Sequence, residues 1–346
     1  MLVFSCLFKN TKTKAIIITI IFIFTFNCAE TGADYAGYKS IYETCLHNKV
    51  HGEIGFILIC KIFNKLGISY NIFRIIFLGL FTILLSYSIF KLSNNFSFSF
   101  LIAYLMYIVY FVSAYRQFAT MSILLFTIYL HVRKKQIVIP LLLNFVAIFI
   151  HKLAIIQFLI FLIIFICHIF RKGIKPIEKS LVKKYFFSII LVCIVVRILV
   201  YVLLSYTALG NIYTEIVSYP ELSLINAGLI SRLMILCIIT YYYLLSLKNQ
   251  GNDFLFTIYF ISMLIYTAFP FELIMGRLLN NFKLLEIILI PFYIFTNKFK
   301  KEENKKNNKK ILVLSEILLL VVICAVFTSQ MVNQIGYNFY NHIFWR

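Results

Sequence analysis

Charge is scarce in this sequence, and acid scarcer still: only 13% of its 346 residues are Asp, Glu, Lys or Arg, with 13 acids against 33 bases. An ordinary soluble domain carries about 25% charged residues, so that class is excluded at the outset. Familiar catalytic signatures are missing as well. No Gly-rich phosphate loop, H-E-x-x-H or G-x-S-x-G occurs anywhere in the chain, which argues against ATP-driven work, a metalloprotease helix and a serine nucleophile elbow. The eight cysteines include no C-x-x-C pair and lie mostly inside apolar runs. They read as small apolar residues, and neither a metal nor a cofactor is expected. The period-2 alternation of barrel strands is absent too.

What the sequence has in abundance is apolar residues, 62% of the chain, gathered into long continuous runs of Ile, Leu and Phe. Hydrocarbon offers no hydrogen bonds to a peptide group, so each run must close its backbone bonds internally, as a helix. The expected fold is therefore all-α: one polytopic integral membrane domain over residues 1–346 with about eleven transmembrane helices. The spans fall at 15–28, 73–90, 98–114, 118–132, 136–150 and 153–170, then at 185–206, 223–247, 254–271, 284–299 and 311–328. The first follows three lysines and imitates a signal peptide, but reads as an uncleaved span. Asn27 before Cys28 also speaks against lipoprotein processing, which needs a small residue there.

A formal charge of +20 would suggest nucleic acid in a soluble protein. Here the bases crowd into a few connecting loops, including 133–135, 171–184 and the Lys- and Asn-rich 298–310. This is the positive-inside pattern of a membrane protein, and no nucleic acid partner is expected. Residues 136–170 make an apolar run that as one helix would extend about 52 Å, against a hydrocarbon layer of about 30 Å. A single span would also put the basic loops on either side of it on opposite faces. The run is therefore expected to break near His151 and Lys152 at the outer surface. Within the external loop 29–72, residues 53–67 are expected as an amphipathic helix lying in the interface, with Lys61, Asn64 and Lys65 on one face. With these choices about 21 of the 33 Lys and Arg fall inside, the N-terminus is cytoplasmic and the C-terminus external.

The outer side then holds the chemically varied residues. Tyr35, Tyr38 and Tyr42 share one face of a short helix beginning near Asp34. Asp34 could cap that helix, or could take a proton from a sugar hydroxyl while the tyrosines stack on sugar rings, with Glu53 as the second candidate base. Arg116 and Gln117 stand where a span leaves the membrane, a position at which arginine commonly snorkels. His151 lies at the expected break. Arg197 and Arg232 lie inside spans, where an uncompensated charge costs about 2.5–3.5 kcal/mol, so each needs an anion. Glu286 and Glu316 could supply one within the protein; the alternative is a membrane-embedded pyrophosphate, with Arg277 on the outer side as a further contributor.

At these residues the sequence resembles the EpsG/Wzy-type polysaccharide polymerases. The likeness is carried by G-x-D-Y-x-x-Y at Gly32, Asp34, Tyr35 and Tyr38, E-x-G-F at Glu53, Gly55 and Phe56, R-Q at Arg116 and Gln117, and H-x-x-A at His151 and Ala154. It departs in having Ala29, Glu30 and Thr31 where an arginine often stands, Ile54 for a usual Pro and Leu153 for a usual Ser. The resemblance implies a GT-C-like membrane fold in a bacterial plasma membrane and a polymerase acting on undecaprenyl-pyrophosphate-linked oligosaccharides, for O-antigen, capsule or exopolysaccharide. It implies Asp34, Glu53, Arg116 and His151 as catalytic residues, with Tyr35, Tyr38 and Gln117 binding substrate; Arg197, Arg232 and Arg277 lie beyond the matching motifs and are expected to bind substrate on their charge and position alone. The implied partners are the lipid-linked substrate, membrane lipid, a flippase and a chain-length regulator. A single-transfer glycosyltransferase or glycan ligase would use the same leaving group, whereas a lipid-linked oligosaccharide flippase would line the whole membrane depth with cationic residues.

Overall fold

A computed structural model describes residues 11–27, 34–46, 52–112, 114–170, 176–206, 224–225, 227–246, 250–270, 272–295, 321 and 323. Among these, every regular element is a helix. Within the single domain expected from the sequence, the chain forms two compact units, residues 1–174 with 323–346 and residues 175–322.

The first unit contains α1 (Lys12–Asn27), α2 (Tyr35–Thr44), α3 (Ile54–Lys65), α4 (Tyr70–Leu92), α5 (Phe96–Val112), α6 (Tyr115–Lys134), α7 (Val138–Ile150) and α8 (Ile155–Ile169). Its packing centres on α6, which lies against α4, α5 and α7. The buried face of α6 carries Gln117, Thr120, Ser122 and Thr127 among its apolar residues. Ser122 and Thr127 return their hydroxyls to backbone carbonyls of the preceding turn, at 2.9 and 2.8 Å. Small self-satisfied residues of this kind let helices approach closely where lipid supplies no hydrophobic drive between them. Asn144 of α7 adds a direct tie, donating to the Thr127 hydroxyl at 3.0 Å.

The break in the run 136–170 falls where the sequence places it. Helix α7 stops at Ile150, His151 is extended (φ −154°, ψ 117°), a 3-10 turn spans Lys152–Ala154, and α8 follows. Phe145 and Phe158, nearly equidistant from His151 along the chain, meet with ring centroids 5.5 Å apart, so the two helices form a hairpin. The expected helix at 53–67 is α3. It ends at Gly67 (φ +70°), whose amide donates to Asn64 O while Ile68 N donates to Phe63 O. That pair of bonds is a Schellman closure, and the left-handed position it requires suits glycine.

The second unit contains α9 (Lys179–Tyr206), α10 (Ala227–Leu245), α11 (Gln250–Ala268), α12 (Glu272–Lys283) and α13 (Glu286–Phe295). Helix α12 occupies a stretch read from sequence as an external connection, and α13, with Pro291 inside it, falls within the span expected at 284–299, of which 296–299 lie outside the described residues. The last expected span, 311–328, and Glu316 lie outside the described residues apart from 321 and 323.

Among the described residues four helices are long and apolar enough to cross a membrane: Tyr70–Leu92, Lys152–Ile169, Lys179–Tyr206 and Gly228–Leu245; Phe96–Tyr107, Val138–Ile150 and Asn252–Ala268 are shorter apolar helices. Helix α9 gives the membrane assignment its strongest single support. At 28 residues it is about 42 Å long. It leaves Phe187 80% and Leu191 and Leu199 each 63% exposed within the chain. Exposed apolar surface on that scale needs hydrocarbon around it.

Candidate active site

Three residues implicated as catalytic, about 100 positions apart from first to last, converge in the first unit. Glu53 precedes α3, Arg116 opens α6, and His151 is the extended residue between α7 and the 3-10 turn. The Glu53 carboxylate pairs with the Arg116 guanidinium through Oε2 and with His151 Nδ1 at 3.0 Å through Oε1. The side chains are 13% (Glu53), 23% (Arg116) and 15% (His151) exposed, so the cluster is shielded without being sealed.

Gly55 explains how the approach is possible. A Cβ on this residue would lie 2.7 Å from the Phe149 carbonyl oxygen and from Phe149 Cβ, so the start of α3 presses directly on the end of α7. That contact delivers Glu53 to His151, two residues beyond Phe149. Phe56 follows as the anchor, 1% exposed, with its ring 5.7 Å from the Arg116 guanidinium carbon. The three named residues of E-x-G-F thus contribute different things, respectively a carboxylate, a close approach and a buried ring.

Tyr38 completes the group. Its hydroxyl lies 3.4 Å from Arg116 Nε, its ring 5.3 Å from the guanidinium carbon, and it stacks on Tyr115 at 4.7 Å. Burial pushes the Tyr38 hydroxyl above its ordinary titration range, partly opposed by the Arg116 charge. The ring is 6% exposed and covered by Tyr115 and Phe56, so Tyr38 presents no open face for a sugar to stack on. Tyr42 is similarly committed, stacked on Phe73 and donating to Ile68 O at 2.6 Å. Tyr35 is half-buried, with its hydroxyl 2.9 Å from Asn71 Oδ1. Gln117 is buried on α6.

Asp34 occupies the N-cap position of α2 but makes no side-chain capping bond; it is exposed. The helix-cap reading therefore fails for its carboxylate. Burial pushes the Cys60 thiol up to about 12 and raises that of Cys45, so neither is a ready nucleophile.

Among the described residues no group of His, Cys, Asp and Glu could hold a metal ion. What the cluster can do is different: one carboxylate organises a guanidinium and an imidazole brought from separate parts of the chain. Two of the five guanidinium N–H donors of Arg116 are spent on Glu53 and Tyr38, and its planar fork suits phosphate oxygens.

The family model that matches the chain is that of the EpsG family, over residues 14–344. The chain belongs to the EpsG family. The match spans nearly the whole sequence, well beyond the N-terminal half that carries the recognisable motifs. Comparison with curated proteins and with solved structures returns no match. Family and apolar helices together make this a membrane protein of the polysaccharide polymerase type.

In the second unit, both intramembrane arginines have partners within the protein. Arg232 donates to Glu286 Oε2 at 2.7 Å, and Tyr259 donates to the other oxygen at 3.0 Å. Glu286 is fully buried. Arg197 is 2% exposed and donates to Leu224 O and Phe269 O, each at 2.7 Å, with Tyr266 O and Thr267 O at 3.4 and 3.5 Å. It thereby neutralises the carbonyl end of α11, where the helix dipole favours a cation. Backbone carbonyls thus partner Arg197, while Glu316, one of the two acids the sequence offers it, lies outside the described residues. Arg277 lies on α12, and its side chain is outside the described residues.

The residue sequence reasoning overlooks is Arg74, four residues after the start of α4 and 2% exposed, with its guanidinium carbon 5.3 Å from the ring centroids of both Tyr35 and Tyr115. The signal is there to be read. A charge inside an apolar run is what singles out Arg197 and Arg232, and the same test applies to Arg74.

Proposed function

We propose that this EpsG family member joins oligosaccharide units carried on undecaprenyl pyrophosphate, at the outer face of a bacterial plasma membrane. The observation that carries the proposal is the convergence of Glu53, Arg116 and His151 in a chain whose family is that of polysaccharide polymerases. A hydroxyl oxygen of one lipid-linked unit attacks the anomeric carbon of the other unit. The bond from that carbon to the pyrophosphate oxygen breaks, the hydroxyl proton passes to a base, and the lipid pyrophosphate leaves as an anion. No nucleotide is consumed, because the pyrophosphate ester is the activated bond.

Arg116 takes the leaving-group charge, supported by His151. Glu53, with one oxygen on each of those side chains, orients them and is a poor proton acceptor in that position. Asp34, exposed and without a capping bond, is the proposed base. His151 is the second candidate for that role: with Nδ1 donating to Glu53, the ring's basic nitrogen is Nε2. Eleven spans, a GT-C-like arrangement and a cytoplasmic N-terminus belong to the same reading.

The test is extension of purified lipid-linked repeat units by the purified, reconstituted protein. The expected product is a ladder of polymer lengths with release of undecaprenyl pyrophosphate. A single added unit would identify a ligase, and vectorial movement of the lipid without bond formation would identify a flippase; either result defeats the polymerase reading.

A further inference from the structure

We propose that Arg74 is a positioning residue of this site, acting through Tyr115 and Tyr38 to hold Arg116 against Glu53; the proposal rests on reading Glu53, Arg116 and His151 as the site. Six side chains from four elements form a continuous series of contacts between rings and guanidinium groups. The Arg74 guanidinium lies against both Tyr35 and Tyr115, its carbon 5.3 Å from each ring centroid. Tyr115 stacks on Tyr38 with an interplanar angle of 21°, and Arg116 sits 5.3 Å from Tyr38 and 5.7 Å from Phe56.

Two links make the coupling mechanical. Tyr115 and Arg116 are consecutive residues at the start of α6, so whatever fixes the Tyr115 ring also fixes the backbone that carries Arg116. Tyr38 then touches Arg116 from the other side, through its ring and its hydroxyl. Arg74 is suited to the junction because a guanidinium is planar, permanently charged and weakly hydrated, so it can offer a face to each of two rings in a buried place. Lysine has the charge without the planar faces. A residue that merely supplied charge to the core would accept that exchange; one that keeps two rings in register would not.

The experiment compares the reactivity of Arg116 towards phenylglyoxal in purified wild type and Arg74→Lys, with adducts counted by peptide mass spectrometry and thermal melting recorded alongside. The expected result is a severalfold faster modification of Arg116 in Arg74→Lys at a melting temperature close to wild type. Unchanged Arg116 reactivity in the folded variant overturns the proposal, whatever happens to activity. If Arg74→Lys does not accumulate, Tyr35→Leu removes one of the two rings against Arg74 at a half-buried position and carries the same expectation and the same refutation. In the polymerisation assay, turnover should fall while KM for the lipid-linked unit holds. A wild-type protein that forms no polymer would refute the proposed function, and the labelling comparison would still decide whether Arg74 positions Arg116.

Discussion

The two units each contain a carboxylate that receives an arginine and a further donor, and they use the arrangement differently. In the second unit Glu286 is sealed, bound by Arg232 and Tyr259, and Arg197 is consumed by carbonyls at the end of α11. In the first unit Glu53 gathers Arg116 and His151 from separate helices and stays partly open. The difference teaches where to look for chemistry among intramembrane charges. A carboxylate sealed from solvent is out of a ligand's reach and contributes to the fold; a partly exposed one, with cationic or polar neighbours that have donors to spare, can meet a substrate. Variants ordered by expected cost to stability should separate the two roles, with damage to the fold falling as damage to function persists.

Glu286→Gln should be the most damaging to the fold. Removing one partner of a buried ion pair leaves the other charge uncompensated, at about 3–5 kcal/mol. Accumulation and melting temperature should drop together, and Arg232→Met combined with Glu286→Met should recover part of the loss. A Glu286→Gln protein that melts normally yet makes no polymer would erase the distinction between the two clusters.

Gly55→Ala comes next. Its Cβ would fall 2.7 Å from the Phe149 carbonyl, too close to be absorbed without moving α3 from α7, and overpacking of this kind costs about 1–3 kcal/mol. Because the same contact brings Glu53 to His151, polymer formation should fall more than the stability loss explains. Normal turnover in a protein whose melting temperature has dropped would show that the approach serves packing alone.

The contrast between units also explains what is legible in the sequence. The break at His151 can be read because length and charge parity forbid one continuous helix over 136–170, constraints that act on the chain as a whole. Helix α3 can be read because its short apolar pattern has its own period. The partner of Arg197 cannot, since no residue type announces that a helix end will be backed by a guanidinium. Tyr38 reads as an open stacking face for a related reason: its burial depends on Tyr115 and Phe56, which reach it from other elements. Helix α12 escapes the sequence because its mixed composition resembles an external connection.

Arg116→Ala should cost less in stability than either change above, as the side chain is 23% exposed and water can partly replace what is lost. Its cost in function should be far larger. Removing a donor that stabilises developing negative charge typically lowers the rate about 100- to 1,000-fold, and Arg116→Lys should also be poor because a point charge does not reproduce the fork. Polymer amount and length, measured at matched protein levels, check this. Wild-type polymer from Arg116→Ala would assign Arg116 to the interface as an ordinary snorkelling side chain.

Asp34 should have the smallest effect on the fold, and for that reason it gives the cleanest separation of structure from chemistry. A capping aspartate replaced by alanine costs about 0.5–2 kcal/mol. The Asp34 carboxylate makes no capping bond and is exposed, so both Asp34→Ala and Asp34→Asn should leave the melting temperature essentially unchanged. If Asp34 is the base, each substitution nevertheless removes proton acceptance, a contribution of about 100- to 10,000-fold in rate. His151→Ala then supplies the counter-experiment, since the acceptor is whichever of the two residues sets the acid limb of the pH–rate profile. An Asp34→Asn protein with wild-type turnover and an unaltered acid limb would transfer the base to His151, and with it the whole of the proton chemistry to the Glu53 cluster.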